Sequence, residues 1–262
     1  MRVDGAIEDY EKSIESQLKN IFLIKNRGNI KKAWDELRKL TSMVRGSKSK
    51  PSKMLSRLYY LQACWYIDDY EDGSNAQKYI KKALEITPEY DCRNYNAKKL
   101  FMEGNVVEVK KVLNPIDNVS ILNTYIQLCI YNSEIEDAYE VFESKKHLAN
   151  DGTYYLMSLI CILDEDYALA HQYMDKANEE NKDIPLHIMM EGVIMYWELL
   201  PSNMIYGDSV LPSLYVNSML LLNSESKQKV NEMVSLYRKA YDLAEKAENR
   251  ELQKQILVVW LD

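Results

Sequence analysis

NAQKYIKKALEITP, residues 75–88, carries four apolar side chains on one helical face. Ala76, Ile80, Ala83 and Leu84 recur at i, i+4, i+7 and i+8, while Lys78, Lys81, Lys82 and Glu85 point the other way. Ser74 or Asn75 can cap the free amides at the start, and Pro88 stops the helix. The two alanines let a partner helix approach closely, with Ile80 filling the space between them. RLYYLQACWYIDDY, residues 57–70, supplies that partner. Its apolar face is Leu58, Leu61, Ala63, Cys64, Trp65 and Ile67, and EDGS turns the chain between the two helices. The hairpin 57–88 cannot bury its apolar side alone, which predicts copies of it along the chain.

The copies are present. GNIKKAWDELRKL (28–40) places Ala33, Leu37 and Leu40 where Ala76, Ile80 and Ala83 lie. GNVVEVKKVL (104–113) supplies Val109 and Leu113, SEIEDAYEVF (133–142) Ala138 and Phe142, and EDYALAHQYMDKA (165–177) Ala170, Met174 and Ala177. EMVSLYRKAYDLA (232–244) supplies Met233, Tyr237 and Ala240. From Ala33 the successive intervals are 43, 33, 29 and 32 residues, and 63, close to two periods, separate Ala170 from Met233.

With these residues the chain resembles the tetratricopeptide repeat family. Unit 57–88 fits the family pattern through Tyr60, Cys64, Ala76, Ile80, Ala83 and Pro88, and unit 151–182 through Tyr154, Ser158, Ala170, Met174 and Ala177. Ile21 and Ile126 stand where the family has a small residue, Lys145 stands where it has alanine, and Pro115 shortens one second helix, so the repeats are degenerate. The resemblance implies an all-α fold, a right-handed superhelical solenoid of antiparallel helix hairpins. A single domain over 1–262 is expected, with repeats near 10–45, 57–88, 90–116, 119–150 and 151–182 and a last partial repeat at 225–262. Segment 183–224 departs from the pattern and reads as two apolar helices, 184–199 and 209–222, around the loop PSNMIYGDS.

Composition agrees with helices joined by short turns: 8 Gly and 6 Pro in 262 residues are roughly half the usual shares. Charged residues make up 28 % and the net charge is −7, without the dense basic face that phosphate backbones require, so no nucleic-acid partner is expected. The basic stretch MVRGSKSKPSK (43–53), broken by Gly, Ser and Pro, reads as a solvated linker. LHIMMEGVIMYWELLP (186–201) is too short to span a bilayer and contains Glu191 and Glu198, so no membrane partner is expected. MRVDGAIEDYEK has no apolar signal region, and Cys64, Cys92, Cys129 and Cys161 lack CxxC or metal spacing. A cytoplasmic location follows, with the cysteines acting as small buried hydrophobes. His147, His171 and His187 match no metal or catalytic pattern, and GxxxxGK[ST], GxGxxG and GxSxG are missing, so no cofactor, metal or catalytic residue is expected.

In the resembled family the first helices line a concave face that binds protein or peptide. Carried onto this sequence, inward places fall on Trp65 and Asp68, on Asn94 and Lys98, on Asn123, Gln127 and Tyr131, and on Tyr155. Amides can bond a peptide backbone and aromatics can pack its side chains; the same Trp and Tyr also read as packing between repeats. The basic clamp that one subtype uses for C-terminal carboxylates is missing its arginine. The expected function is a non-catalytic protein- or peptide-binding scaffold or adaptor. One alternative is a peptide-sensing regulatory domain of a larger bacterial protein, against which burial of Asn94, Asn123 and Gln127 between helices would count. Another is an accessory enzyme subunit whose site in 183–224 gathers His187, Glu191 and Glu198. Finally, RELQKQILVVWLD (250–262) is apolar around much of its circumference, through Ile256, Val259 and Trp260 among others, and has no cap. It predicts a homodimer contact or continuation into further repeats of a longer protein, unless 257–261 folds back on the preceding helix as a capped end.

Overall fold

The computed structural model describes residues 2–47, 52–179, 182–199 and 224–261, and all the regular structure among them is helical. The α-helices are α1 (Arg2–Asn26), α2 (Ile30–Gly46), α3 (Ser52–Tyr70), α4 (Gly73–Ile86), α5 (Arg93–Met102), α6 (Val106–Leu113) and α7 (Val119–Asn132). They continue with α8 (Ile135–Lys145), α9 (Asp151–Leu163), α10 (Tyr167–Ala177), α11 (Pro185–Leu199), α12 (Ser224–Lys246) and α13 (Arg250–Leu261).

One turn geometry recurs. Gly28, Glu71, Gly104, Ser133 and Glu165 each adopt positive φ between two helices, at the same intervals that separate Ala33, Ala76, Val109, Ala138 and Ala170. After Glu71 the Asp72 amide reaches back six residues to Tyr66 at 2.9 Å; after Gly104, Ser133 and Glu165 the next amide reaches back five, Asn105 to Leu100, Glu134 to Cys129 and Asp166 to Cys161, at 2.9–3.0 Å. This closes the ending helix in a Schellman turn and places the following residue at the next N-cap. Asp72 and Asp166 then accept the amides of Asn75 and Leu169. Asp72 is therefore the cap of α4, in place of the Ser74 or Asn75 expected from sequence, because the left-handed residue at Glu71 starts the helix two residues earlier.

The repeated small and large positions are all inside. Ala33, Ala76, Ala83, Ala138, Ala170, Ala177 and Ala240 have no exposed surface, and Leu37, Val109, Leu113, Phe142, Met174 and Tyr237 are buried beside them. Consecutive helices pack along their lengths in α3 with α4, α5 with α6, and α9 with α10.

The segment that departs from the repeat in sequence pairs in the same way. α11 packs on α12 as extensively as α9 packs on α10. In the α9–α10 hairpin, Ser158 at the small place meets Met174, Oγ to Sδ 3.1 Å. In α11–α12, Gly192 meets Tyr237. These are matching places, but 16 residues separate the first pair and residues 200–223 intervene between the helices of the second. The expected helix 209–222 and the loop before it lie outside the described residues. The basic linker is shorter than expected, since α2 continues to Gly46 and α3 begins at Ser52.

The chain forms two compact units, Met1–Lys25 with Ile30–Tyr125, and Asn26–Asn29 with Ile126–Asp262. In the first, Trp34, Leu37, Leu58 and Trp65 centre one core, and Ala63, Cys64, Ala76 and Ile80 a smaller one. In the second, Ile188, Met233, Tyr237, Ala240 and Ile256 share a core.

Candidate functional site

α7 puts Asn123, Gln127 and Tyr131 on one stripe at i, i+4 and i+8. Exposure rises along it: Asn123 is half-buried, Gln127 exposed and Tyr131 72 % exposed. Leu122, Ile126 and Cys129, on other faces of the helix, have no accessible surface. Their burial fixes which stripe faces water.

Asn94 of α5 is in a different situation. It is buried, its Nδ2 donates to Ser120 Oγ at 2.6 Å, and its Oδ1 accepts the hydroxyl of Thr124. Ser120 and Thr124 lie one turn apart on α7, so both halves of the amide serve to hold α5 to α7. By the same test Asn123 and Gln127 remain at the surface.

In the first unit the ends of α1, α3 and α5 carry interlocked charges. Lys98 donates to Asp68 at 2.5 and 2.6 Å. Lys25 pairs with Asp69, which also accepts the Trp34 indole at 2.9 Å. The Lys25 ammonium stands 4.3 Å from the centre of the Trp65 ring. Burial pushes the Lys25 amine below its ordinary range, and the hydrogen bond and charge of Asp69 oppose that. Trp65 is buried and meets Phe22 and Trp34 edge-on at 5.9 and 5.5 Å. It is a core residue here, and Lys98 is held by its carboxylate partner.

In the second unit Tyr155 of α9 stacks on His187 of α11, centres 5.1 Å apart and planes 12° from parallel. His187 Nδ1 lies 3.1 Å from Asn178 Oδ1, and Asn178 Nδ2 donates to Glu191 Oε1 at 2.6 Å. With its amide committed to the carboxylate, Asn178 presents its oxygen to the imidazole, so Nδ1 carries the proton. Burial lowers the His187 pKa to about 4, opposed by Asp151. Burial also raises Glu191, with Asp175 adding to it and His171, Lys239 and the Asn178 hydrogen bond opposing. Glu198 does not join them; it pairs with His171 at 3.4 Å and Lys229 at 3.8 Å. The convergence of His187, Glu191 and Glu198 that the accessory-subunit alternative requires is not formed; His187, Asn178 and Glu191 make a three-member chain, and Glu198 stands apart from it. Asn178 is also the C-cap of α10, its backbone amide donating to the Met174 and Asp175 carbonyls.

Of the proposed C-terminal contact, Ile256 is fully buried in the second unit's own core, and neighbouring Val258 is exposed. The side chains of Val259 and Trp260 lie outside the described residues. Among the described residues no three His, Cys, Asp or Glu side chains stand close enough to hold a metal ion, and no helix is long and apolar enough to cross a membrane.

No local spacing signals the pairing of Lys25 with Asp69, which depends on the ends of two helices 44 residues apart. Nor does it signal a recurrent feature: α3, α5 and α9 end in Tyr70, Met102 and Leu163, each about half exposed, and Tyr131 stands one residue from the end of α7. No protein-family model matches the chain, and no curated protein matches it.

Proposed function

We propose that the chain is a tetratricopeptide-like helical-repeat scaffold, without catalysis of its own, that binds a peptide or protein segment along its first helices. The carrying observation is the α7 stripe, where Asn123 and Gln127 lead to Tyr131, 72 % exposed. The exposed Gln127 amide can bond an extended backbone, and an exposed tyrosine can take an apolar side chain at low entropic cost. The exposed apolar residues that end α3, α5 and α9 extend the same chemistry to other hairpins. Recurrence of one turn and one set of buried places supports the repeat reading, and the cytoplasmic location expected from sequence belongs to the same proposal. Asn94 holds α7 to α5 through Ser120 and Thr124.

A displayed random-peptide library selected on the folded chain tests this. Selected peptides should bind the parent and lose about tenfold or more on Gln127→Ala with Tyr131→Ala. Selected peptides that bind both proteins equally would place the surface elsewhere.

A second reading rests on the His187–Asn178–Glu191 chain, where burial lowers an imidazole pKa and raises a carboxyl pKa, a pattern that also marks acid–base sites. An accessory-subunit role predicts that a small ligand shifts the His187 ring resonances. Resonances indifferent to every ligand class screened would leave the relay a packing element.

A further inference from the structure

The second helices of the first unit carry a charge opposite to that of the whole chain. α2 has five basic and two acidic residues, α4 three and one, while the net charge is −7. Lys31, Arg38 and Arg45 stand seven residues apart and are all exposed, forming one stripe with steps of about 10 Å. Lys81 and Lys82 are exposed on α4. None of these five cations has a carboxylate at ion-pair distance among the described residues. Aromatic rings hold two of them instead. Lys82 stands 4.5 Å from the centre of the Tyr79 ring and Arg38 5.2 Å from that of Trp34. Trp34 of α2 and Tyr79 of α4 both meet Tyr66 of α3, at 4.8 and 5.4 Å, so the two basic stripes are neighbours, with Tyr70, also exposed, 5.6 Å from Trp34 beside them.

α8, in the second unit, is its complement. It has four acidic residues and one lysine. Glu136, Glu140 and Glu143 fall at i, i+4 and i+7 and are all exposed. Glu136 and Glu140 have no cation at ion-pair distance among the described residues, and Glu143 has only the exposed Lys146 at 2.9 Å. Ala138 and Phe142, fully buried, fix the acidic stripe outward. From Glu136 to Glu143 the helix rises about 10 Å, the same step as from Lys31 to Arg38.

We propose that α8 of one copy docks on the α2–α4 face of a second copy of this chain, giving a salt-sensitive self-association. Complementary charge and equal spacing carry the choice of partner. A nucleic acid suits the face less well, because Asp35, Glu36 and Glu85 interrupt it and would lie against a continuous row of phosphates. The two faces differ, so the contact is heterologous, and the mass across a concentration series tells a closed assembly from a growing one.

Light scattering of the full chain over a concentration series tests this. The mass should rise with concentration at about 0.01 M salt, and the association should weaken about tenfold or more at about 0.3 M. Arg38→Glu with Lys82→Glu, or Glu136→Lys with Glu140→Lys, should each give a monomer that melts like the parent. If the first variant misfolds, Lys31→Glu with Lys81→Glu replaces it. An equimolar mixture of the two variants should associate again, because α8 of the first then meets an intact basic face on the second. A parent that stays monomeric at low salt overturns the proposal. So does association that neither variant changes, which would place the contact elsewhere. Loss of binding to a labelled single-stranded oligonucleotide in the basic-face variant, with no self-association in the parent, would assign the face to nucleic acid instead.

Discussion

The ring of Tyr237 leaves no room for a β-carbon at Gly192: one built there would lie 2.7 Å from Cε1 and 3.0 Å from Cζ. Tyr237 is itself buried, so the ring cannot swing into solvent. Gly192→Ala should therefore cost about 1–3 kcal/mol through overpacking, despite alanine's better helix propensity. Gly73→Ala is the control, since nothing lies within 4 Å of a β-carbon there, and it should be neutral or slightly stabilising. Urea denaturation of both variants checks the pair; equal stabilities would mean that α11 and α12 are not in close contact.

Asp69 and Asp68 are adjacent in sequence and unequal in structure. Asp69 accepts both Lys25 and the Trp34 indole in a largely buried setting, whereas Asp68 meets Lys98 nearer the surface. Asp69→Ala should cost about 2–4 kcal/mol, because it strands a buried donor and a half-buried ammonium. Asp68→Ala should cost about 1 kcal/mol or less. Reversal of that order in chemical denaturation would remove Asp69 as the organising group.

His187 predicts acid sensitivity. Its pKa falls from 6.5 to about 4 on folding because burial disfavours the imidazolium. The unfolded chain therefore takes up the proton first as pH falls. The contribution is complete above about 6.5 and is lost as pH drops to about 4, at most roughly 3 kcal/mol. Glu191 acts in the opposite sense. Its raised pKa favours the fold below its unfolded value, and that contribution is lost as pH rises through the folded value. His187→Gln should flatten the melting-temperature profile between about pH 6.5 and pH 4. Glu191→Gln should steepen it. An unchanged profile in His187→Gln would mean that the imidazole is not buried in its neutral form.

The recurrent turns predict a sign from φ alone. Glu71, Ser133 and Glu165 hold left-handed backbone at φ 51, 57 and 60. Substituting each by glycine should raise stability by about 0.5–1 kcal/mol. Gly104, at φ 76 with no crowding, should lose about 1 kcal/mol as alanine. Thermal melts of the four variants decide it; destabilisation by all three glycines would mean that the turns are held differently in solution.

The helical class and the buried register were legible because small and large residues alternate at fixed places. Ala76, Ile80 and Ala83 are inside for the reason their spacing suggests. The α11–α12 pairing was hidden because residues 200–223 interrupt it and because Gly192 was not matched to the place held by Ser158. The Asp72 cap was missed because glutamate at 71 gives no ordinary signal of left-handed backbone. At the candidate site, residue type does not distinguish Asn94, clasped by Ser120 and Thr124, from Gln127 at the surface; only the packing of α5 on α7 separates them. The His187–Asn178–Glu191 chain joins the end of one helix to two turns of the next, a proximity that no local pattern encodes.

The interrupted hairpin also orders the assembly of the second unit. α9 and α10 meet across three residues, whereas α11 and α12 are separated by residues 200–223. In the unfolded chain, bringing together Gly192 and Tyr237, 45 residues apart, costs about 1 kcal/mol more entropy than bringing together Ser158 and Met174, 16 apart. Local hairpins such as α9–α10 therefore zip first, and the meeting of Gly192 with Tyr237 comes late. In pulse-labelled hydrogen exchange during refolding, the amides of α9 and α10 should gain protection before those of α11 that face Tyr237.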